Sequence, residues 1–262
     1  MEHNLLAIFS GSLVGFVLGL IGGGGSILAV PLLVYVVGVK SPHVAIGTSA
    51  VAVALSSVAS LIDHARHDHV KWRCAMVFAA AGIVGAALGS QVGKQVDGQK
   101  LLLFFGVLML VIAGLMFVKK RSGGDAFVQL TSFSAPSLLP YLLVYGVAVG
   151  AVSGFFGIGG GFLIVPGLMA ATNMPMIFAI GSSLLCVAAF GFTTAINYAT
   201  SNLVDWSLVG LFIVGGVVGG VVGRYASTVL ATKKHLLSQS FAGIVAAVGI
   251  YVVARGLPAL AG

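Results

Sequence analysis

Residues 19–31 read GLIGGGGSILAVP and residues 154–166 read GFFGIGGGFLIVP. At a shift of 135, Gly19, Gly22, Gly24, Gly25 and Pro31 meet Gly154, Gly157, Gly159, Gly160 and Pro166. One deleted residue later the shift is 134, and Ile46-Gly47-Thr48-Ser49 meets Ile180-Gly181-Ser182-Ser183. Ser60 then meets Thr194, Asp63 meets Asn197, Trp72 meets Trp206, and Gly82, Gly85 and Gly89 meet Gly216, Gly219 and Gly223. Identities at nearly one offset mark an internal duplication.

The medium is set by composition. Of 262 residues, 59% are apolar and 7% charged, with a mean hydropathy of +1.13. Water-soluble domains carry about 25% charged residues, so this chain is an all-α polytopic membrane protein. The net charge of +7 is no sign of nucleic-acid binding, because Lys and Arg lie at segment ends. Cys74 and Cys186 sit within apolar runs and suggest no disulfide framework. The first apolar run lacks a basic n-region and a small-x-small cleavage site, so it is expected to be retained.

Apolar runs fall at 5–21, 26–38, 43–62, 72–92 and 101–118, then at 138–156, 162–172, 176–198, 206–226 and 236–254. This gives a first membrane repeat over 1–118, a polar linker over 119–137 and a second repeat over 138–262. Five segments per repeat predict that the second enters from the opposite face, as inverted repeats related by a two-fold axis in the membrane plane. Placing the 63–71 loop in the cytoplasm puts Arg66, Lys71, Arg73, Lys119, Lys120, Arg121, Arg224, Lys233 and Lys234 inside. Lys40, Lys94, Lys100 and Arg255 are then outside, as are both termini.

The runs at 26–38 and 162–172 are too short to cross, since a spanning helix needs about 20 residues. Each follows the glycines and contains Pro31 or Pro166. The pattern predicts a helix, a glycine hairpin at membrane depth and a short returning helix. Backbone without Cβ atoms can turn its N–H groups onto a ligand, and the next helix adds its positive dipole end. Together these bind anions. Candidate binding residues are Gly22, Gly23, Gly24, Gly25 and Ser26, with Gly157, Gly159, Gly160 and Gly161 in the second repeat. The competing explanation is close helix packing, which Gly15-x3-Gly19 and Gly150-x3-Gly154 also fit.

Ser49, Ser56, Ser60 and Asp63 share a helical face, and Ser183, Thr194 and Asn197 form its counterpart. Thr48, Ser49, Ser182 and Ser183 join the candidate oxyanion contacts; local back-bonding is the alternative, and is favoured for Ser56. No ionisable residue lies mid-segment, which leaves Asp63, with Asn197 as its counterpart, for coupling. The histidines of Asp63-His64-Ala65-Arg66-His67-Asp68-His69 do not share one helical face, so a solvated loop is expected rather than a metal site. Gly82, Gly85, Gly89 and their twins are expected to be packing seams.

The motif Gly-x-x-Gly-[Gly/Ile]-Gly-Gly-[Ser/Gly]-x-Leu-x-Val-Pro, followed by Ala-Ile-Gly-[Thr/Ser]-Ser, resembles that of the TauE/SafE sulfite exporter family of bacterial membrane permeases, over nearly the whole chain. The resemblance implies a substrate among sulfite, sulfonates, sulfoacetate and related small sulfur anions. Gly22–Ser26, Pro31, Thr48 and Ser49 match the first motif; Gly157–Gly161, Pro166, Ser182 and Ser183 match the second, with Ile158 departing from Gly23.

The expectation is therefore a secondary permease of the bacterial inner membrane. It takes a small anion, is embedded in the lipid bilayer, and needs no cofactor, metal or nucleic acid. An anion channel with the same hairpins is the alternative. An intramembrane enzyme built on Gly150-Ala-Val-Ser-Gly154 lacks a nearby base, because every histidine lies at a segment end or in a loop. An ATP-driven pump lacks the Lys-[Ser/Thr] of a phosphate loop.

Overall fold

A computed structural model describes residues 2–21, 23–118, 130, 134–157, 159, 161–229 and 234–257, without the side chains of Asp63 and Arg224 among others. Among the described residues all the regular secondary structure is helical, without strands. Helix α1 is Glu2–Ile21. The short segment after it is one irregular helix, here α2, built from a 3₁₀ piece Gly23–Leu28, an α-helical turn Ala29–Pro31 and a π-helical piece Leu32–Val36. Then follow α3 (Pro42–Arg66), α4 (Trp72–Gln95) and α5 (Gly98–Val118). The second half holds α6 (Ala135–Phe156), α7 (Gly161–Thr172), α8 (Met176–Ala199), α9 (Trp206–Val229) and α10 (Lys234–Gly256).

Local chemistry sets the ends. Asp97 Oδ1 accepts from Gln99 N–H and Lys100 N–H at 3.0 and 3.1 Å, and Asp205 Oδ1 accepts from Ser207 and Leu208 at the same distances. These carboxylates satisfy free N–H groups and face the positive dipole ends of α5 and α9. The first short helix begins at Gly23, before the expected 26, because glycines wind into a 3₁₀ turn. After Pro31 the helix loosens: Val37 N–H donates to Leu32 O, five residues back, at 2.9 Å. Pro31 lacks the N–H that would bond back to the turn before it, and the wider winding sets in directly after it.

Small residues set the packing. A Cβ on Gly215, Gly219 or Gly223 of α9 would overlap the carbonyl of Ile8, Ser12 or Phe16 of α1. Likewise Gly85, Gly89 and Gly93 of α4 lie on the carbonyls of Val147, Ala151 and Phe155 of α6. In each pair both numbers rise together, so α1 runs parallel to α9 and α4 parallel to α6. Helix α3 parallels α9, since Gly47 meets Leu203 and Ser56 meets Gly216. It crosses α8 antiparallel: Gly47 meets Tyr198 near one end, and Gly191 meets Ala50 and Ala54 further in. Helices α5 and α10 pack antiparallel, with Gly106 on Val252 and Gly256 on Leu103.

Among the described residues six helices, α3, α4, α5, α6, α8 and α9, are long and apolar enough to cross a membrane; α1, α2, α7 and α10 hold shorter apolar stretches. Exposed apolar residues such as Met76, Leu88, Val111, Val144, Val218 and Val222 face outward, as lipid contact requires. The antiparallel course of α4 and α9 puts the exposed Trp72 and Trp206 at opposite ends of the bundle, where aromatic residues anchor to membrane interfaces.

Candidate functional site: two glycine loops and a polar cavity

Helix α6 ends on Gly157 at φ +66°, whose N–H donates to Gly154 O at 3.2 Å. A Cβ there would overlap Ile46 Cγ2 of α3. Gly159 also has φ +66°, and its Cβ position is 3.3 Å from both Val53 Cγ1 and Val187 Cγ1. Those valines sit midway along α3 and α8, so this loop reaches the middle of the bundle. Glycine fits here because other residues resist positive φ. In the first half, a Cβ on Gly25 would fall 2.9 Å from Val17 C and 3.0 Å from Leu18 Cγ, so the chain folds straight back onto α1. The 3₁₀ piece that includes Gly23, Gly24, Gly25 and Ser26 packs against α7. Gly22, Ile158 and Gly160 lie outside the described residues.

The candidate hydroxyls form two groups. Thr48 Oγ1 accepts from Asp205 N–H at 3.0 Å, and Ser182 Oγ accepts from Lys71 N–H at 2.9 Å. Each sits in an Ile-Gly-[Thr/Ser]-Ser motif that holds the chain just before the opposite half's Trp206 or Trp72. The neighbouring glycines complete the grip: a Cβ on Gly47 would overlap Leu203 O, and one on Gly181 would overlap His69 O. Ser49 and Ser183 donate to Ile46 O and Ile180 O at 2.9 and 2.7 Å within their own helices. Because α3 and α8 are antiparallel, Thr48 and Ser182 lie on opposite sides of the crossing, roughly 18 Å apart along the axis at 1.5 Å per residue. One small anion cannot touch both.

Asn197 is held in a clamp. Its Nδ2 donates to Ser90 Oγ at 2.6 Å, and its Oδ1 accepts from Lys94 Nζ at 2.7 Å. Lys94 Nζ also donates to Asn197 O at 3.1 Å and Ser201 Oγ at 3.0 Å, placing its charge at the negative end of α8. This ties α4 to α8 and accounts for Asn197 structurally. Asp63's side chain lies outside those described.

Apart from the glycine loops, a cavity of about 140 Å³ opens between α1, α3 and α9. Ser56, Ser60 and His64 line one wall, one helical turn apart; Gly15, Gly19, Gly216 and Gly220 leave the room. Ser60 donates to Ser56 O at 3.2 Å. The signal was present as the polar stripe on α3, but what faces it comes from the distant α9. The 64–69 turn brings His64 and His67 rings within 5.7 and 6.0 Å of His69; among the described residues no group of three metal-binding side chains gathers.

Two glycine-led short helices thus pack on one another among helices drawn from both halves, and comparison with known proteins gives the family. The sulfite exporter TauE/SafE family matches residues 7–252. The chain belongs to that family. A Xylella fastidiosa (strain Temecula1) protein is 53% identical over 99% of this chain and 98% of its own length. YunE of Bacillus subtilis is 26% identical over 89% of this chain and 92% of its own. MJ0441 of Methanocaldococcus jannaschii is 30% identical over 72% of each. All three carry the name "Probable membrane transporter protein". No solved structure matches. This TauE/SafE chain is thus a multi-pass membrane protein of a transporter family, and the spanning helices described above are its transmembrane scaffold.

Proposed function

We propose that the protein is a secondary transporter moving a small sulfur-containing anion, such as sulfite, a sulfonate or sulfoacetate, across the bacterial inner membrane. The observation that carries this is the glycine loop that leaves α6 at Gly157 and reaches the middle of α3 and α8 at Gly159, both at positive φ. Backbone N–H groups of Gly22–Gly25 and Ser26 from one side, and of Gly159, Gly160 and Gly161 from the other, hold the anion, while Gly157, whose N–H closes the end of α6 on Gly154 O, turns the loop toward it. No Lys or Arg is needed there, because helix N-termini and convergent amides supply the positive field. Such a site gives moderate affinity, which suits release on the far side.

The pairing of helices supports inverted repeats over 1–118 and 138–262, joined by the 119–137 linker. Under the repeat shift the α1–α9 pair becomes the α6–α4 pair, and the contacts Gly11–Phe212 and Gly15–Gly216 become Gly146–Phe78 and Gly150–Gly82. The Thr48–Asp205 and Ser182–Lys71 bonds exchange in the same way. Helices α1 and α6 run in opposite directions, as inversion requires. In this scheme Thr48 and Ser182 hold the frame, Ser49 and Ser183 flank the path, and Asp63 is the coupling candidate. Ser153, the nucleophile of the enzyme alternative, has no hydrogen-bonded base among the described residues.

The test is flux of radiolabelled sulfite, sulfoacetate and sulfate into proteoliposomes under imposed proton and sodium gradients. Saturable uptake of at least one sulfur anion, raised by one of the gradients, is expected. Failure to move any of them refutes the proposal.

A further inference from the structure

The cavity between α1, α3 and α9 has a twin position between α6, α8 and α4. The repeat shift carries Gly15, Leu18 and Gly19 to Gly150, Ser153 and Gly154; it carries Ser56, Ser60 and His64 to Phe190, Thr194 and Tyr198, and Gly216 to Gly82. The two places are built alike and end up different. In the first, Ser56 Oγ stands 3.2 Å from the Cβ position of Gly216, and the space beyond stays open. In the second, the Phe190 ring lies on Gly82, where a Cβ would overlap it, and Phe190, Thr194 and Tyr198 are fully buried. A phenylalanine and a tyrosine fill what a serine and a histidine leave empty.

The filled twin is polar all the same. Among the described residues the hydroxyls of Ser153, Thr194 and Tyr198 are buried without a hydrogen-bond partner. Each costs about 1–3 kcal/mol in that state. All three occupy positions equivalent to lining residues of the open cavity. Hydroxyls kept at such a cost mark a surface that meets water or a ligand in another arrangement of the same helices.

The open cavity suits an anion. Among the described side chains the lining holds no acid; it brings the Ser56 hydroxyl, the His64 imidazole and Ser60, whose hydroxyl donates to Ser56 O and keeps its lone pairs for water or a ligand N–H. It starts at the middle of the bundle, where Gly15 crosses Gly216, and runs along α3 toward His64 and the loop before α4. Nearly a helical turn along α1 from Gly15 it touches Leu18, the residue on which Gly25 folds.

We propose that the cavity lined by Ser56, Ser60 and His64 and the collapsed twin around Ser153, Thr194 and Tyr198 are the two half-pathways that the anion uses in turn. This rests on the transporter assignment and adds to it the residues that line each side. The structure holds the state open toward the 67–71 loop. The opposite state closes the first half and brings the three hydroxyls to water.

The test uses the full-length chain with Cys74 and Cys186 replaced by alanine and a single cysteine at position 60 or 194. The probe is the membrane-impermeant sulfonatoethyl methanethiosulfonate, itself a sulfonate. Sulfoacetate serves as protectant, because sulfite would cleave the mixed disulfide. Ser60→Cys should label only from the face of the 67–71 loop, and sulfoacetate should slow it. Thr194→Cys should label only from the other face. Ser56→Phe, which copies the twin residue, should reduce flux to that of empty liposomes and block labelling of Ser60→Cys. Labelling of both cysteines from one face, or wild-type flux in Ser56→Phe, overturns the proposal. If Ser56→Phe fails to fold, the two labelling patterns decide alone. A chain that carries anions while both cysteines stay inert keeps the transporter assignment and overturns the half-pathways. One that labels as described but carries no anion keeps the half-cavities as water-filled paths and overturns the transporter assignment.

Discussion

Gly159 is the residue at which backbone geometry and function meet. At φ +66° it holds a conformation that other residues resist, and a Cβ would press at 3.3 Å on both Val53 and Val187. Gly159→Ala should cost about 1–2 kcal/mol from the left-handed conformation alone, and flux per folded molecule should fall as well; thermal unfolding in detergent and normalised uptake measure the two separately. Gly25 is a less discriminating site, because any side chain there pushes α2 off Leu18 and mixes folding with binding. Lys94 gives a contrasting case. Lys94→Met removes charge-assisted bonds to the end of α8, so stability should drop by about 1.5–3 kcal/mol. Thermal unfolding in detergent reads that loss directly. The sequence marks Thr48, Ser182 and Asn197 as polar residues in matched positions. It does not show that their partners are Asp205, Lys71 and Lys94, which lie over a hundred residues away.

At the scale of elements, hydrophobic runs and their polar punctuation locate every helix, because burial in lipid leaves helical backbone as the open choice. The start of α2 is where this reasoning falls short. Glycine propensity argues for an irregular turn over the whole run, but from Gly23 onward the chain is wound as 3₁₀ turns, supported by tertiary contact with α1 and α7. The packing seams are read well from spacing alone. A Cβ on Gly85 would overlap Val147 O, so Gly85→Val should reduce the yield of monodisperse protein first, with flux falling only in proportion. Thr48→Val and Ser182→Ala each leave a backbone N–H of the opposite half unpaired. Each should destabilise by about 1–3 kcal/mol, and the double variant should add nearly in full because the sites are far apart; unfolding in detergent measures both.

For the whole molecule, helix directions put the 67–71 loop and the 97–99 turn at opposite ends of the bundle. His67→Cys should label from the cytoplasm and Gln99→Cys from outside, and labelling from a common face would break the inverted arrangement. The duplication is what predicts this arrangement, because an odd number of passes per copy turns the second one over. What the duplication hides is the difference between copies. Ser56 against Phe190 and His64 against Tyr198 look like ordinary divergence until the packing shows one side open and the other filled. Secondary transport is the central claim, and counterflow tests it most directly. Proteoliposomes are preloaded with unlabelled sulfoacetate and diluted into a trace of the labelled anion. The account predicts saturable uptake with a transient overshoot that vanishes in empty-loaded vesicles. Linear equilibration without overshoot, or no uptake of any sulfur anion, would contradict it.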